Sequence, residues 1–158
     1  MSERGQILSA RPVTLDDMPT GLTADVGWQI GVARTLPIPI SDVWKALSSP
    51  AGAAIWLGNG AVLPRRPGEP IRSTDGGTGE LRSVRPFDRV RVRWHAAGWD
   101  HPTTIQVAVS GGATKTVVRF HQEHLADATE REHQRDHWRA ALDRLEALLT
   151  ERDTAAPT

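Results

Sequence analysis

Asp127-ATEREHQRDHWRAALDRLEALL-Thr150 is the stretch on which the rest of the chain depends. Trp138, Ala141, Leu142, Leu145, Leu148 and Leu149 repeat at the i, i+3, i+4, i+7 spacing of one helical face. Asp127 stands where an N-cap belongs, and Glu130, three residues on, completes a capping-box pattern. No Gly or Pro interrupts the run. The spacing predicts a helix about 35 Å long at 1.5 Å per residue, enough to cross a small domain. Its second half is apolar on one side, while its first half, Thr129 to His137, is almost entirely polar. The rest of the chain must cover the apolar face, either completely or with a cavity left beneath it.

The totals narrow what that domain can be. A chain of 158 residues reads as one domain with room for a core that needs no staples. It has no Cys, which excludes disulfides and thiolate chemistry. The 19 basic and 19 acidic residues cancel, so there is no long-range attraction to nucleic acid. No apolar run approaches the ~20 residues of a membrane span. Met1-Ser-Glu-Arg-Gly5 lacks the charged-then-apolar pattern of a secretory signal. The reading is a cytoplasmic protein with no membrane span. Six Trp, two Phe and no Tyr make the indoles the most informative large groups.

Upstream, Trp28, Ile30 and Val32 alternate with Gln29, Gly31 and Ala33, the pattern of a half-buried strand. Pro37 and Pro39 end it, since proline lacks the ladder N–H. Ser41-Asp42 is expected to cap a short helix, Val43 to Leu47. Ser49-Pro50 starts a second, with Ser at the N-cap and Pro at the first helical position, and Gly58-Asn-Gly60 closes it. In the Pro- and Gly-rich residues 61–79, Ala61 to Leu63 and Glu69 to Arg72 are expected as short strands. Thr74-Asp-Gly-Gly-Thr-Gly79 reads as a hairpin turn. It is no phosphate loop, because neither Lys-Ser/Thr nor a helix follows.

Four strands then come at hairpin spacing: Glu80 to Arg85, Arg89 to Trp94, Thr103 to Val109 and Thr114 to Gln122. Val90, Val92 and Trp94 share one face of their strand, with three Arg opposite. Ile105, Val107 and Val109 do the same on the next, and Thr116, Val118 and Phe120 on the last. A strand, two helices, an antiparallel meander and a long helix make an α+β fold. Residues 1–27 read as an N-terminal arm with one short turn of helix capped near Thr14. The arm either packs loosely on the domain at 28–150 or covers a cavity mouth or a partner subunit. Residues 151–158 read as a flexible polar tail.

In this order the pieces resemble the SRPBCC (START-like) superfamily, and within it the branch related to the activator of the ninety-kilodalton heat-shock-protein ATPase. Ser41-Asp-Val-Trp44-Lys-Ala-Leu47, followed by Pro50 and Trp56-Leu57, is similar to the family's opening. Gly79-Glu-Leu-Arg-Ser-Val-Arg-Pro-Phe-Asp-Arg-Val-Arg-Val-Arg-Trp94 is similar to its hairpin. His137-Trp138, with Leu142 and Leu145, is similar to its closing helix, although His137 stands where the family usually has Gly. The resemblance spans roughly residues 28–150. It implies a helix-grip fold, a curved antiparallel sheet around the long C-terminal helix with two short helices at one end. Many members enclose an apolar cavity between sheet and helix. The family has no universal catalytic residue. It includes lipid carriers, hormone receptors, aromatase/cyclases and co-chaperone domains, so the fold does not settle the function.

Trp56, Trp94, Phe120 and Trp138 are expected to face the interior between helix and sheet, as core, as cavity lining, or as both. Ile105, Val107 and Leu142 complete the apolar set. Trp44 reads as structural. Trp99, in a loop beside Gly98 and Asp100, suits a rim or gate. For a polar contact at a cavity mouth the candidates are His121, Gln122 and His137, and a His there could trade protons near neutral pH. His133 and His137 are i, i+4, but no Glu follows the first His as a zinc-protease helix requires. Neither a metal nor another cofactor is expected. Arg89, Arg91 and Arg93 form a basic stripe on the outer sheet face without interleaved aromatics, which suits acidic neighbours or an acidic protein more than nucleic acid.

No Ser–His–Asp arrangement, paired carboxylate or phosphate cradle stands out, and no catalytic residue is assigned. The leading reading is a protein that binds or carries a small apolar molecule between the closing helix and the sheet. One alternative is a cyclase- or dehydratase-type enzyme using a pocket His. Another is a co-chaperone-like interaction module, with a protein partner or a homodimer.

Overall fold

In the computed structural model, residues 22–23 and 27–155 are described. The strands are β1 (Leu22–Thr23), β2 (Gly27–Leu36), β3 (Pro70–Arg72), β4 (Thr78–Arg85), β5 (Arg89–His95), β6 (Thr103–Gly111) and β7 (Thr116–Leu125). The helices are α1 (Ile40–Ser48), α2 (Pro50–Leu57) and α3 (Ala128–Ala155). The described strands form one antiparallel sheet in the order β1-β2-β7-β6-β5-β4-β3. β2 pairs with β7, so α3, leaving the end of β7, folds back over the inner face of both strands. This is the α+β helix-grip arrangement that the sequence predicts.

The period-two pattern decides which face is inside. Val90, Val92 and Trp94 on β5, Ile105, Val107 and Val109 on β6, and Val118 and Phe120 on β7 are all buried. Against them α3 sets Trp138, Ala141, Leu142, Leu145 and Leu149, also buried. The rings of Phe120 and Trp138 stack with centroids 4.8 Å apart and planes 20° apart. Arg34 on β2 reaches over to Asp143 at 2.7 Å and Glu146 at 3.1 Å, tying the sheet to the outer side of α3. α3 runs to Ala155, beyond the Thr150 end read from the apolar pattern.

The two short helices meet at almost no distance. A Cβ built on Gly52 of α2 would lie 1.7 Å from the carbonyl oxygen of Ala46 on α1, so only glycine fits there. The Ser49 hydroxyl accepts from the Gly52 amide at 3.1 Å and donates to the Ala46 carbonyl at 2.7 Å, with Pro50 at the first turn, as expected. The indole N–H of Trp56 donates to the Leu47 carbonyl at 3.1 Å. α1 starts differently from the expectation. It begins at Ile40 with Pro39 at the N-cap, and no side chain caps it. The Ile40 amide instead finds the Gly112 carbonyl of the β6–β7 turn at 2.9 Å. A tertiary contact has replaced the Ser41-Asp42 cap.

Ala61 to Leu63 is irregular chain and not a strand. The Ala61 amide turns back to the Gly58 carbonyl at 3.1 Å, which leaves the segment no ladder to join. Of the N-terminal arm, Leu22–Thr23 forms the edge strand β1 against Gly27 and Trp28. The helical turn expected near Thr14 lies outside the described residues.

Candidate functional site

Beside the closed core, between α2, the amino-terminal half of α3 and the β5–β6 loop, lies an open cleft of about 350 Å³. Ligand sites run from about 300 to 1,000 Å³, so this is a small one. Trp56, Trp94, Ile105, Gln122 and Trp138 line it and are nearly inaccessible, which makes them its inner end. Trp99, Gln134, His137 and Arg144 are more exposed and stand at its mouth. Val107, Phe120 and Leu142 do not line the cleft. Each is 0% exposed in the closed core between α3 and the sheet.

The inner end contains a hydrogen-bonded polar chain. The Thr103 hydroxyl donates to the Trp94 carbonyl at 3.1 Å, and a Gln122 amide N–H donates to the Thr103 oxygen at 2.9 Å. The Gln122 carbonyl oxygen in turn accepts from the Trp138 indole at 3.0 Å and from Gln134 at 2.8 Å. Four elements are thereby joined: β5, β6, β7 and α3. A buried amide of this kind is tolerated because its carbonyl and one N–H are bonded.

Gly77, just before β4, and Gly79, within it, serve the same place. A Cβ on Gly77 would lie 2.5 Å from the Trp94 ring, and one on Gly79 would lie 2.8 Å from it. These glycines give the Trp94 indole room to lie over the backbone of the β3–β4 turn. Their role is steric.

A family model described as "Activator of Hsp90 ATPase homolog 1-like protein" matches residues 37–150, from the β2–α1 connection almost to the end of α3. The chain belongs to that family. No curated protein matches it. Among solved structures, this activator-like chain is similar to DynU16, from the dynemicin biosynthetic locus, with a TM-score of 0.65 and 24% identity over 77% of this chain and 47% of DynU16. It thus spans about half the length of that protein. It is similar also to MLL2253 from Mesorhizobium loti, with a TM-score of 0.66 and 20% identity over 82% of this chain and 99% of the other. PFC0360w, an HSP90 activator from Plasmodium falciparum, matches with a TM-score of 0.66 and 15% identity over 78% and 97% of the two chains. At these identities the likeness is one of fold.

Within the activator-like domain, the mouth of the cleft is held by a second set of bonds. His101 on the β5–β6 loop bonds Asp100 at 2.7 Å and Glu130 at 2.8 Å. Its pKa lies above the ordinary value, chiefly through Asp100, with Glu130 helping against partial burial. The same Glu130 oxygen accepts from the Ala126 amide at 2.9 Å, and Asp127 accepts from the Glu130 amide at 2.8 Å. The Asp127 half of the expected capping box is present, while Glu130 turns back to the Ala126 amide in place of the Asp127 amide and also latches the loop. Trp99 stacks on His101 with centroids 5.2 Å apart. His95 also hydrogen-bonds the Trp99 carbonyl.

His137 sits edge-on to Trp138, 4.6 Å between centroids. Its pKa is pushed below the ordinary value, first by surrounding protein and then by the charge of Arg144. The ring still meets water at the mouth, so this crowding acts on a partly solvated group. His121 is not at the mouth. It pairs across the sheet with Gln106 and Gly31, on the face opposite Gln122, and bonds Gln29 at 2.6 Å. Burial pushes its pKa down. On that outer face Arg91 bonds Glu123 at 2.9 Å, the ordinary pairing expected of the stripe.

Among the described residues, no group of three or more His, Asp or Glu comes together to hold a metal, and no helix is long and apolar enough to cross a membrane. Sequence reasoning missed Gln134, Arg144, Asn59 and Asp75 as cleft residues. Gln134, His137, Ala141 and Arg144 follow one another at steps of three and four, so the helical face itself carried a signal for two of them. Asn59 and Asp75 lie on loops, where no periodicity points to them.

Proposed function

We propose that the protein binds or carries a small apolar molecule in the cytoplasm, in the cleft between α2, α3 and the β5–β6 loop, without chemistry of its own. The observation that carries this reading is that Trp56, Trp94, Trp99 and Trp138 all lie along one open cleft of about 350 Å³. Deep in the cleft, the Gln122 carbonyl and the indole N–H groups of Trp56 and Trp138 are already bonded within the protein. An apolar guest would therefore leave none of them without a partner. The test is titration with the neutral dye N-phenyl-1-naphthylamine, read by its fluorescence and by native mass spectrometry. Saturable one-to-one binding is expected, and Ala54→Phe, which places a ring in the cleft, should abolish it. Absence of saturable binding by the unaltered protein would refute the reading.

A second reading, an interaction module, is favoured by the family and by the description of PFC0360w as an HSP90 activator. Arg89 and Arg93 on the outer face have no acidic partner among the described residues. Under this reading Arg93→Glu removes a protein partner and leaves dye binding intact. An enzyme would place its acid/base on His137, since His121 faces away. His137→Ala would then abolish turnover of a bound substrate without lowering the melting temperature.

A further inference from the structure

The cation at the mouth of the cleft stands without an ion-pair partner among the described residues, and that specifies the occupant. Arg144 stands at the mouth on α3 and has no acidic partner among the described residues. The acids nearest it in sequence, Asp143 and Glu146, are both taken by Arg34 of β2. Among the described residues, Asp75 is the one carboxylate lining the cleft. It already accepts from the Ser73 hydroxyl and from the Gly77 amide at 3.2 Å, so it is engaged by its own turn. Arg144 thus stands at the mouth without an ion pair, while the inner end is mostly indole and aliphatic carbon, with the Gln122 carbonyl and the indole N–H groups of Trp56 and Trp138 bonded internally.

We infer that the occupant is an organic anion with a flat aromatic body, its rings among the tryptophans and its acidic group on the Arg144 guanidinium. A planar guanidinium beside apolar walls suits such a group, because it binds oxyanions through two parallel N–H bonds and is itself weakly hydrated. The geometry also fixes the polarity of entry, with the rings inward and the acid outward toward water. Arg144 also contributes to holding His137 neutral, which removes a competing cation from the same lip.

This inference rests on the cleft reading above, and one experiment separates the two. Two dyes share a ring system and differ in charge: N-phenyl-1-naphthylamine, which is neutral, and 8-anilino-1-naphthalenesulfonate, which is anionic. Arg144→Gln should weaken the sulfonate roughly fivefold, the worth of a partly screened ion pair, and leave the neutral dye within about twofold. Arg144→Glu should weaken the sulfonate further. Added salt should lower sulfonate affinity in the unaltered protein but not in Arg144→Gln. Equal losses for both dyes, or none for either, would overturn the inference while the cleft reading stands. Sulfonate binding that persists in Ala54→Phe places the anion elsewhere and overturns it as well. Failure of the neutral dye to bind at all removes the cleft reading and this inference with it.

Discussion

The indole N–H of Trp138 on α3 donates to the side-chain oxygen of Gln122 on β7 at 3.0 Å, with the two residues 0% and 1% exposed. That bond lies where the closed core ends and the cleft begins. On one side Trp138 stacks on Phe120, and on the other it meets the edge of His137, which lines the cleft. The pairing fixes the rotation of α3 over the sheet. A helix turned by one residue would lose the bond and bury the wrong face.

The pairing can be measured. Gln122→Leu leaves the Trp138 N–H, the Gln134 amide and the Thr103 hydroxyl short of a partner, at about 1–3 kcal/mol for a buried orphan. Trp138→Phe removes the indole N–H and part of its volume. If the network acts as one unit, the double variant should lose less stability than the sum of the singles, by roughly 1 kcal/mol in urea unfolding. Simple additivity would show that the two residues are independent.

Gly52→Ala should behave contrary to helix propensity, which favours alanine by roughly 1 kcal/mol. The new Cβ would stand 1.7 Å from the Ala46 carbonyl oxygen, and that neighbour is backbone, unable to swing aside. The helices must separate, so a loss of about 1–3 kcal/mol or more is expected. Gly112→Ala has open space within 4 Å and serves as the control. It should stay within about 0.5 kcal/mol of the unaltered protein. A neutral Gly52→Ala would mean that α1 and α2 are not locked together.

Why the fold could be read and the cleft only in part follows from such residues. Val90, Val92 and Trp94 announce an inner face by period two, and Trp138, Ala141, Leu142 and Leu145 announce theirs by period 3.6. Burial follows those periods, so the core was legible. The cleft lies where periodic elements meet loops. The sequence could not show that Gly77 and Gly79 clear space for Trp94, or that the Asp127–Glu130 box also holds His101. His121 and Gln122 looked equivalent as neighbours in the chain, yet strand alternation sends them to opposite faces. Alternation was enough to separate them, since Phe120 already fixed the inner face.

The loop latch carries a pH signature. His101 is raised above its ordinary value of 6.5, chiefly by Asp100. A histidine raised in the folded state contributes stability that is fully present below its unfolded pKa and lost as pH rises through the higher folded value. His121 and His137 are lowered, chiefly by burial, and act in the opposite sense as pH falls below 6.5. Replacing His101 with Gln removes only the first contribution. The melting temperature of His101→Gln should therefore fall further behind the unaltered protein at about pH 5.5 than at about pH 8.5. Equal deficits at the two pH values would show that Asp100 and Glu130 do not grip a charged ring.

Trp99 separates a wall of the cleft from a pillar of the fold. It is half-buried on the β5–β6 loop and stacked on His101, whereas Trp56 is 1% exposed and bonded to α1. Truncating a buried aromatic costs about 3–5 kcal/mol, so Trp56→Ala should unfold or nearly unfold the protein. Trp99→Ala removes a ring that already meets water, and about 1 kcal/mol is the expected loss. If Trp99 forms part of the wall, its removal should weaken the neutral naphthylamine dye about tenfold, the worth of one aromatic contact and its share of buried area. Dye affinity measured beside the melting temperature distinguishes the roles. Unchanged affinity in a folded Trp99→Ala would move the ligand away from the loop and toward α2, leaving the His101 latch a purely structural clasp.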